Sequence, residues 1–265
     1  MPVQSGRIAT GFSELEREHF ERDGYLVAPG LAPQDTVARI RAVTLRSLTP
    51  LLGPAEFEAD IHYPGAPTSR LEEGGETPRR LLNAITRDTL IRDWATSSDL
   101  ALRLEALLEG PVELAQSHHN CIMTKHPGFS SATLWHQDIR YWSFDRPELV
   151  SVWLALGEEL PDNGALQVIP GSHLLELDRG RLDAELFLRP ELTENARLID
   201  SAVSVRLAPG DVLFFHARTF HAAGTNNTGE VKLSAVFTYH RSDNRPIPGT
   251  RSAGYPSLPL SSGAD

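Results

Sequence analysis

The chain has 265 residues, 40% of them hydrophobic and 23% charged, a composition typical of a globular protein that can bury a full core. Its formal net charge of −10 argues against nucleic acid or an anionic membrane surface as the main partner. The sequence has no apolar run long enough for a transmembrane helix, and its first residues lack the apolar core of a signal peptide. The single cysteine, Cys121, excludes an intrachain disulfide, so we expect a cytoplasmic protein.

Helical signals mark the beginning of the chain. Ser13 followed by Glu16 forms a capping box, which predicts the start of a helix. Gly24 predicts the end of that helix, since glycine readily adopts the left-handed conformation found there. The residues that follow, 25–28, are apolar and predict a short strand.

The rest of the N-terminal part, up to residue 110, is predicted to be mostly helical. The spacing of apolar residues favours helices within 33–51 and 81–108. Between them, residues 53–78 are rich in Gly, Pro and acidic side chains. We therefore expect a long loop there, which could act as a lid over a site.

Residues 111–240 change to short strands separated by Pro, Gly and Asn turns. This spacing predicts a mainly β protein with flanking helices, built on a double-stranded β-helix (jelly-roll, cupin-like) core within one domain of 265 residues. A charged insert at 174–198 is expected to be partly helical, and the tail 241–265 extended. The predicted strands are 112–115, 120–125, 134–141, 150–156, 166–169, 203–207, 211–216, 221–224 and 233–240.

A candidate metal site begins with His136 and Asp138, which are one residue apart on a predicted strand and so share a face. His221 follows 85 residues after His136 and completes a set of two histidines and one carboxylate. This set is typical of non-haem Fe(II), which it holds by one face, and zinc is the chemical competitor. His216, at the end of another predicted strand, is the alternative third ligand, but we expect it to buttress the site.

Four ordered motifs run through the predicted jelly roll: WHQD at 135–138, DNGAL leading into VIPGSH at 162–173, PGDVLFFH at 209–216, and His-x-x-Gly-x-Asn at 221–226. Together they resemble the phytanoyl-CoA dioxygenase family, which includes ectoine hydroxylase and many bacterial tailoring oxygenases. The resemblance implies a hydroxylase that uses Fe(II), 2-oxoglutarate and O2. Such an enzyme would oxidise an unactivated carbon of a small or medium-sized metabolite and release succinate and CO2.

The same resemblance implies roles for individual residues. His136, Asp138 and His221 match the iron ligands of the family. The residues implied to bind or line the co-substrate are Lys125, Gln137, Trp153, Lys232 and Ser234.

One of these positions departs from the family pattern. Relatives normally carry an arginine eleven residues after the distal histidine, where it takes the far carboxylate of 2-oxoglutarate, and a serine two residues later. This chain has Lys232 and Ser234 there, although only two of its 25 basic residues, Lys125 and Lys232, are lysines. Lysine offers a compact charge instead of a bidentate fork. We expect Lys232 to anchor the same carboxylate. The alternatives to this role are a different keto acid as co-substrate, weak co-substrate binding, a decayed site, or a Lys232 that is simply exposed to solvent.

Candidate substrate contacts lie close to the H-x-D motif or on neighbouring strands. We expect a small molecule with an anionic or polar group, no nucleic acid or membrane partner, and a monomer or homodimer. The candidates are His118, Phe129, Arg140, Trp142 and Phe220, of which Arg140 could equally form a surface ion pair and Trp142 could equally be core packing.

The retained Asp138 favours hydroxylation, because halogenating relatives lack this carboxylate. Desaturation, epoxidation and ring closure need the same ligands and stay open. Two other classes also stay open: a cupin-type metalloenzyme that uses no keto acid, and a non-catalytic metal-binding relative.

Overall fold

A computed structural model of the protein describes residues 11–61 and 63–263. The helices are α1 (Glu14–Asp23), α2 (Gln34–Leu48), α3 (Ala84–Arg87), α4 (Thr89–Ala95), α5 (Ser98–Leu108) and α6 (Thr193–Asp200). The strands are β1 (Tyr25–Ala28), β2 (Ala55–Phe57), β3 (Pro78–Leu82), β4 (Val112–Leu114), β5 (Asn120–Lys125), β6 (Thr133–His136), β7 (Leu149–Ala155), β8 (Leu166–Val168), β9 (Val203–Ser204), β10 (Val212–His216), β11 (His221–Ala223), β12 (Lys232–Arg241) and β13 (Leu258–Pro259).

The strands form two antiparallel sheets that face each other. The larger sheet has the order β1-β10-β7-β12-β5-β3-β2, with β4 also pairing with β12, and β13 with β4. The smaller sheet has the order β6-β11-β8-β9. Short consecutive strands that alternate between two sheets are the arrangement of a jelly roll, so the predicted fold class is confirmed.

Side-chain alternation along β12 separates the two layers of the core. Ala235 and Phe237 pack with buried residues of the helices on the outer face of the larger sheet. Val236 belongs to a second cluster between the two sheets. Because side chains alternate with a period of two, Lys232 and Ser234 point with Val236 into the space between the sheets.

The first helix follows the predicted signals. Ser13 accepts a hydrogen bond from the backbone of Glu16, whose carboxylate accepts one from the backbone of Ser13 at 2.8 Å. Gly24 ends the helix with φ 76°, and a side chain at this position would collide with His173 and Thr219. The predicted capping box and helix end are confirmed.

The N-terminal part contributes more strand than we predicted. Residues 53–78 are not a continuous loop, since β2 and β3 pair with each other and β3 pairs with β5. Pro78 is tolerated because it is the first residue of its strand, and pairing with β5 overrides the weak strand propensity of Arg79 and Arg80.

Two other boundaries differ from the prediction. The helical region 81–108 is divided into three helices, with Asn83 in the left-handed conformation before the first of them. In the tail 241–265, β13 pairs with β4 through Leu258 and Leu114. Local sequence could not predict the pairing of β13, because it depends on a partner distant in the chain.

No helix among residues 11–61 and 63–263 is both long and apolar enough to cross a membrane. The first residues, on which the expectation of no signal peptide rests, lie outside the described part of the chain.

Candidate metal centre and its two cavities

Three side chains converge at the open end of the smaller sheet. His136 is the last residue of β6 and His221 the first of β11, and the two strands pair so that these histidines are directly opposite. One carboxylate oxygen of Asp138 lies 3.8 Å from Nε2 of His136 and 3.7 Å from Nε2 of His221. All three side chains are buried, and their ligand atoms lie within 4.8 Å of one another.

A tight turn, and not a continuous strand, brings Asp138 to the histidines. The predicted strand 134–141 ends at His136, and Asp138 starts a single 3-10 turn that ends at Tyr141. The backbone N–H of Ile139 donates to the carbonyl of Ala217 at 3.0 Å, which ties this turn to the connection before β11. The two ligands therefore share a site although they do not share a strand.

Both histidines present Nε2 to the centre. Nδ1 of His136 lies 2.8 Å from the carbonyl of Leu134, and Nδ1 of His221 lies 3.0 Å from the carbonyl of Thr219. Because a carbonyl only accepts, each Nδ1 carries a proton and donates it to that carbonyl, which leaves each Nε2 facing the centre. Burial, followed by the nearby His221, lowers the pKa of His136 well below its ordinary value, so His136 is neutral, as a metal ligand must be.

Two further side chains hold Asp138. The hydroxyl of Ser151 donates to its second oxygen at 2.9 Å, and Nδ1 of His119 lies 3.5 Å from the same oxygen. Burial by itself would raise the pKa of Asp138, but His119, His221 and the other groups around it lower that pKa, so Asp138 is ionised. We did not predict these contacts, although the period of two on β7 places Ser151 on the same face as Trp153.

This donor set fits Fe(II): two imidazoles, one carboxylate, and no thiolate among them. Within the described residues, no other group of three His, Cys, Asp or Glu side chains meets the same spacing. His216 lies outside the group, since its Nδ1 accepts from the backbone of Arg218 at 3.0 Å and its ring packs against His173. The structure thus brings His221, and not His216, to the centre.

A small cavity of about 50 Å³ lies against the three ligands, between the two sheets. Three of the predicted co-substrate residues, Lys125, Trp153 and Lys232, line it. Gln137 does not, because its amide donates to the carbonyl of Arg218. Ser234 is fully buried behind the wall of the cavity.

The predicted carboxylate anchors already hold a carboxylate of the chain itself. Nζ of Lys232 lies 2.9 Å from Oε2 of Glu159, and the hydroxyl of Ser234 donates to Oε1 of Glu159 at 2.6 Å. The indole N–H of Trp153 donates to the same oxygen at 2.8 Å. The side chains of Lys232 and Glu159 are 2% and 0% exposed, so the alternative of a solvated Lys232 is wrong.

The distal carboxylate of 2-oxoglutarate therefore does not fit these residues as they stand. The second lysine of the cavity does not replace the anchor, because Nζ of Lys125 donates to the carbonyls of Ser131 at 3.0 Å and Gly224 at 2.6 Å. Burial, with smaller contributions from Arg79 and Lys232, lowers the pKa of Lys125 to about 7. Lys125 is therefore only partly charged at neutral pH.

A second cavity, of about 260 Å³, adjoins the first and shares His136 and Asp138 with it. Two predicted substrate contacts, His118 and Trp142, line it. Burial lowers the pKa of His118 to about 3, and its Nε2 is 2.8 Å from the hydroxyl of Ser252. The lining residues that we did not predict are Glu56, Ile61, Tyr63, Arg80, Leu82, His119, Cys121 and Arg251.

Three other predicted substrate contacts line neither cavity. Phe129 is 39% exposed. Arg140 stacks over the ring of Phe187 at 3.8 Å instead of forming the surface ion pair considered above. Phe220 is buried in a separate apolar cluster.

Comparison with known proteins gives one consistent result. The model of the phytanoyl-CoA dioxygenase family matches residues 20–234. An ectoine dioxygenase from Halomonas elongata is 26% identical over 262 residues, covering 92% of this chain and 75% of that protein. The L-proline trans-4-hydroxylase of Streptomyces griseoviridis is 27% identical over 247 residues, covering 86% of both. The crystal structure of EctD from S. alaskensis with 2-oxoglutarate and 5-hydroxyectoine has a TM-score of 0.72 at 23% identity, covering 92% of this chain and 82% of that chain.

Proposed function

The chain belongs to the phytanoyl-CoA dioxygenase family, and we propose that it is an Fe(II)- and 2-oxo-acid-dependent dioxygenase that hydroxylates an unactivated carbon of a small or medium-sized metabolite. The enzyme class predicted from the motifs is confirmed, as are iron, 2-oxoglutarate and O2 as the cofactors of the family. The finer statements below concern which residues of this chain serve each of them.

The observation that carries the proposal is the triad of His136, Asp138 and His221. Its three protein donors would hold one face of a metal ion and would leave the remaining coordination positions to a chelating co-substrate and oxygen. Iron held in this way supplies, together with a 2-oxo acid and oxygen, an oxidant that can remove hydrogen from an unactivated carbon.

The chain's own residues orient the ligands and separate the two reactants. Backbone carbonyls accept hydrogen bonds from Nδ1 of both histidines and so orient their Nε2 atoms toward the centre. Ser151 donates to one oxygen of Asp138 and holds that carboxylate in place. The small cavity and the larger one share His136 and Asp138, so a co-substrate and a substrate would reach the same metal ion from separate cavities. Trp153 walls the small cavity and limits the access of water.

The larger cavity supports a polar metabolite with an acidic group as the substrate. Arg80 and Arg251 both line it, and Arg80 is already 3.3 Å from the carboxylate of Glu56. The exposed Arg251 therefore remains to pair with an anionic substrate group, while Trp142 offers an apolar wall.

A second candidate is a metal-binding relative that uses no 2-oxo acid. One observation favours it: Glu159 holds the residues that would anchor the co-substrate. Both candidates retain the iron site, so they differ only in what binds beside the metal.

Anaerobic titration separates the two candidates. The protein is loaded with Fe(II), its iron content is measured, and a panel of 2-oxo acids is added while the visible charge-transfer band of an Fe(II)–2-oxo acid chelate is recorded. We expect the band to form, and CO2 to be released from the same acid once oxygen is admitted, with Asp138→Ala inactive in both assays. Bound iron with no band for any 2-oxo acid would establish the second candidate instead.

A further inference from the structure

Glu159 occupies its position firmly. Its backbone N–H donates to the carbonyl of Leu207 at 2.8 Å, and its own carbonyl accepts from Leu207 at 3.1 Å. Its carboxylate accepts from three side chains, those of Trp153, Lys232 and Ser234, and is fully buried. Hydrogen bonds therefore hold both the backbone of Glu159 and the two oxygens of its carboxylate. This side chain is a fixed part of the folded site and not a mobile surface group.

The arginine and lysine side chains around the small cavity, apart from Lys125, already lie beside an opposite charge. Lys232 balances Glu159. Arg79 donates to the hydroxyls of Ser131 and Thr133, and its guanidinium lies 3.5 Å from the buried carboxylate of Glu58.

Nε of Arg80 lies 3.3 Å from a carboxylate oxygen of Glu56. Lys125 donates two of its three N–H groups to backbone carbonyls. A second carboxylate brought beside Lys232 would therefore lie next to Glu159 with one ammonium between two negative charges. Such an arrangement is costly in a buried site.

The volume of the small cavity favours the same kind of co-substrate as the charges around it. The cavity is small, about 50 Å³, so a co-substrate with a short side chain fits it better than one that carries a second carboxylate. That space suits the chelating end of a 2-oxo acid with a short apolar remainder. The adjoining walls, Trp153, Leu166 and Ala223, are apolar and suit such a remainder.

We infer that Glu159 replaces the distal carboxylate of the co-substrate, so that this site selects 2-oxo acids that lack a second carboxylate. 2-Oxoglutarate then binds only by displacing Glu159 from Lys232 and Ser234. The inference rests on the proposed function and specifies its co-substrate. With such an acid the balance is the ordinary one: the 2-oxo acid, O2 and the substrate give the carboxylic acid one carbon shorter, CO2 and the hydroxylated substrate.

The test compares two acids that differ in the distal carboxylate. Iron-loaded protein is titrated anaerobically with 2-oxobutyrate and with 2-oxoglutarate, and binding is followed by the charge-transfer band and by calorimetry. We expect the wild type to bind 2-oxobutyrate more tightly than 2-oxoglutarate. Glu159→Ala removes the internal carboxylate and exposes Lys232, so it should shift the ratio of the two affinities toward 2-oxoglutarate by about tenfold or more.

Glu158→Ala is the matched control, because it removes an adjacent, exposed carboxylate and should leave the ratio unchanged. If Glu159→Ala does not fold, the increase in melting temperature of the wild type with each acid decides the question alone. The inference is overturned if the wild type binds 2-oxoglutarate as tightly as 2-oxobutyrate or more tightly, or if Glu159→Ala leaves the ratio of the two affinities unchanged. If neither acid binds to iron-loaded protein, the proposed function itself fails, a result that differs from a preference for 2-oxoglutarate.

Discussion

The buried pair of Lys232 and Glu159 makes a strong prediction about stability. Lys232→Met removes the ammonium but keeps the length of the side chain. The carboxylate of Glu159, with no solvent exposure, then keeps only the neutral donors of Ser234 and Trp153. An unpaired charge in such a place is expensive, because water cannot reach it.

The expected magnitude follows from the burial and from the remaining hydrogen bonds. Removing one partner of a buried ion pair costs about 3–5 kcal/mol. Two hydrogen bonds to Glu159 survive, so we expect the lower end, about 3 kcal/mol of lost unfolding free energy, for Lys232→Met. In Lys232→Met/Glu159→Gln both charges are gone and the amide oxygen still accepts from Ser234 and Trp153. The unfolding free energy lost in the double variant should therefore be about 2 kcal/mol smaller than the sum of the losses in Lys232→Met and Glu159→Gln.

Urea unfolding of the metal-free wild type, both single variants and the double variant measures this coupling. Metal-free protein is used because bound iron would add its own stabilisation. If the single losses add to the loss of the double variant within about 0.5 kcal/mol, the two side chains are independent and the account of the anchor is wrong.

Three other predictions concern the site directly. His221→Ala should abolish iron retention, whereas His216→Ala should keep it, and metal analysis that gives the reverse would exchange their roles. Ser151→Ala should weaken Fe(II) binding about tenfold or more, since Ser151 holds Asp138, and Ser151→Thr should restore it; unchanged affinity in Ser151→Ala would remove the positioning role. Burial lowers the pKa of Lys125 to about 7 in the folded state. Between pH 7 and the ordinary pKa of lysine, the unfolded chain therefore binds more protons than the folded chain. This group makes the free energy of unfolding rise with pH there, by up to about 1.4 kcal/mol per pH unit. Lys125→Met should remove that slope from the pH dependence of urea unfolding, and an unchanged slope would show that Lys125 is not buried as described.

The sequence was most informative where a local pattern determines the structure. Ser13 and Gly24 delimit α1 through capping chemistry that acts within a few residues. Strand β5 has the predicted bounds, Asn120–Lys125, because its apolar run ends at clear turns. The spacing of His136 and Asp138, together with the distal His221 and the ordered motifs around them, predicted the metal site, even though a turn and not a strand brings the first two together.

Long-range partners account for most of what sequence reasoning missed. Glu159 lies 73 residues before Lys232 and directly after another glutamate, so it resembles an ordinary charged turn. The only signal was indirect: Lys232 departs from the arginine usual in the family, and its internal partner gives that departure a physical reason. In the same way, β2 and β3 exist because β5 offers them a free edge, which no local pattern in 53–78 reports.

The central claim is that His136, Asp138 and His221 bind one iron ion and leave the rest of its coordination sphere open. Anomalous diffraction from crystals loaded with Fe(II) under anaerobic conditions tests it directly. We predict a single strong iron peak bonded to Nε2 of both histidines and to one oxygen of Asp138, with no further protein ligand. An iron peak elsewhere, or a fourth protein side chain closing the coordination sphere, would contradict the account.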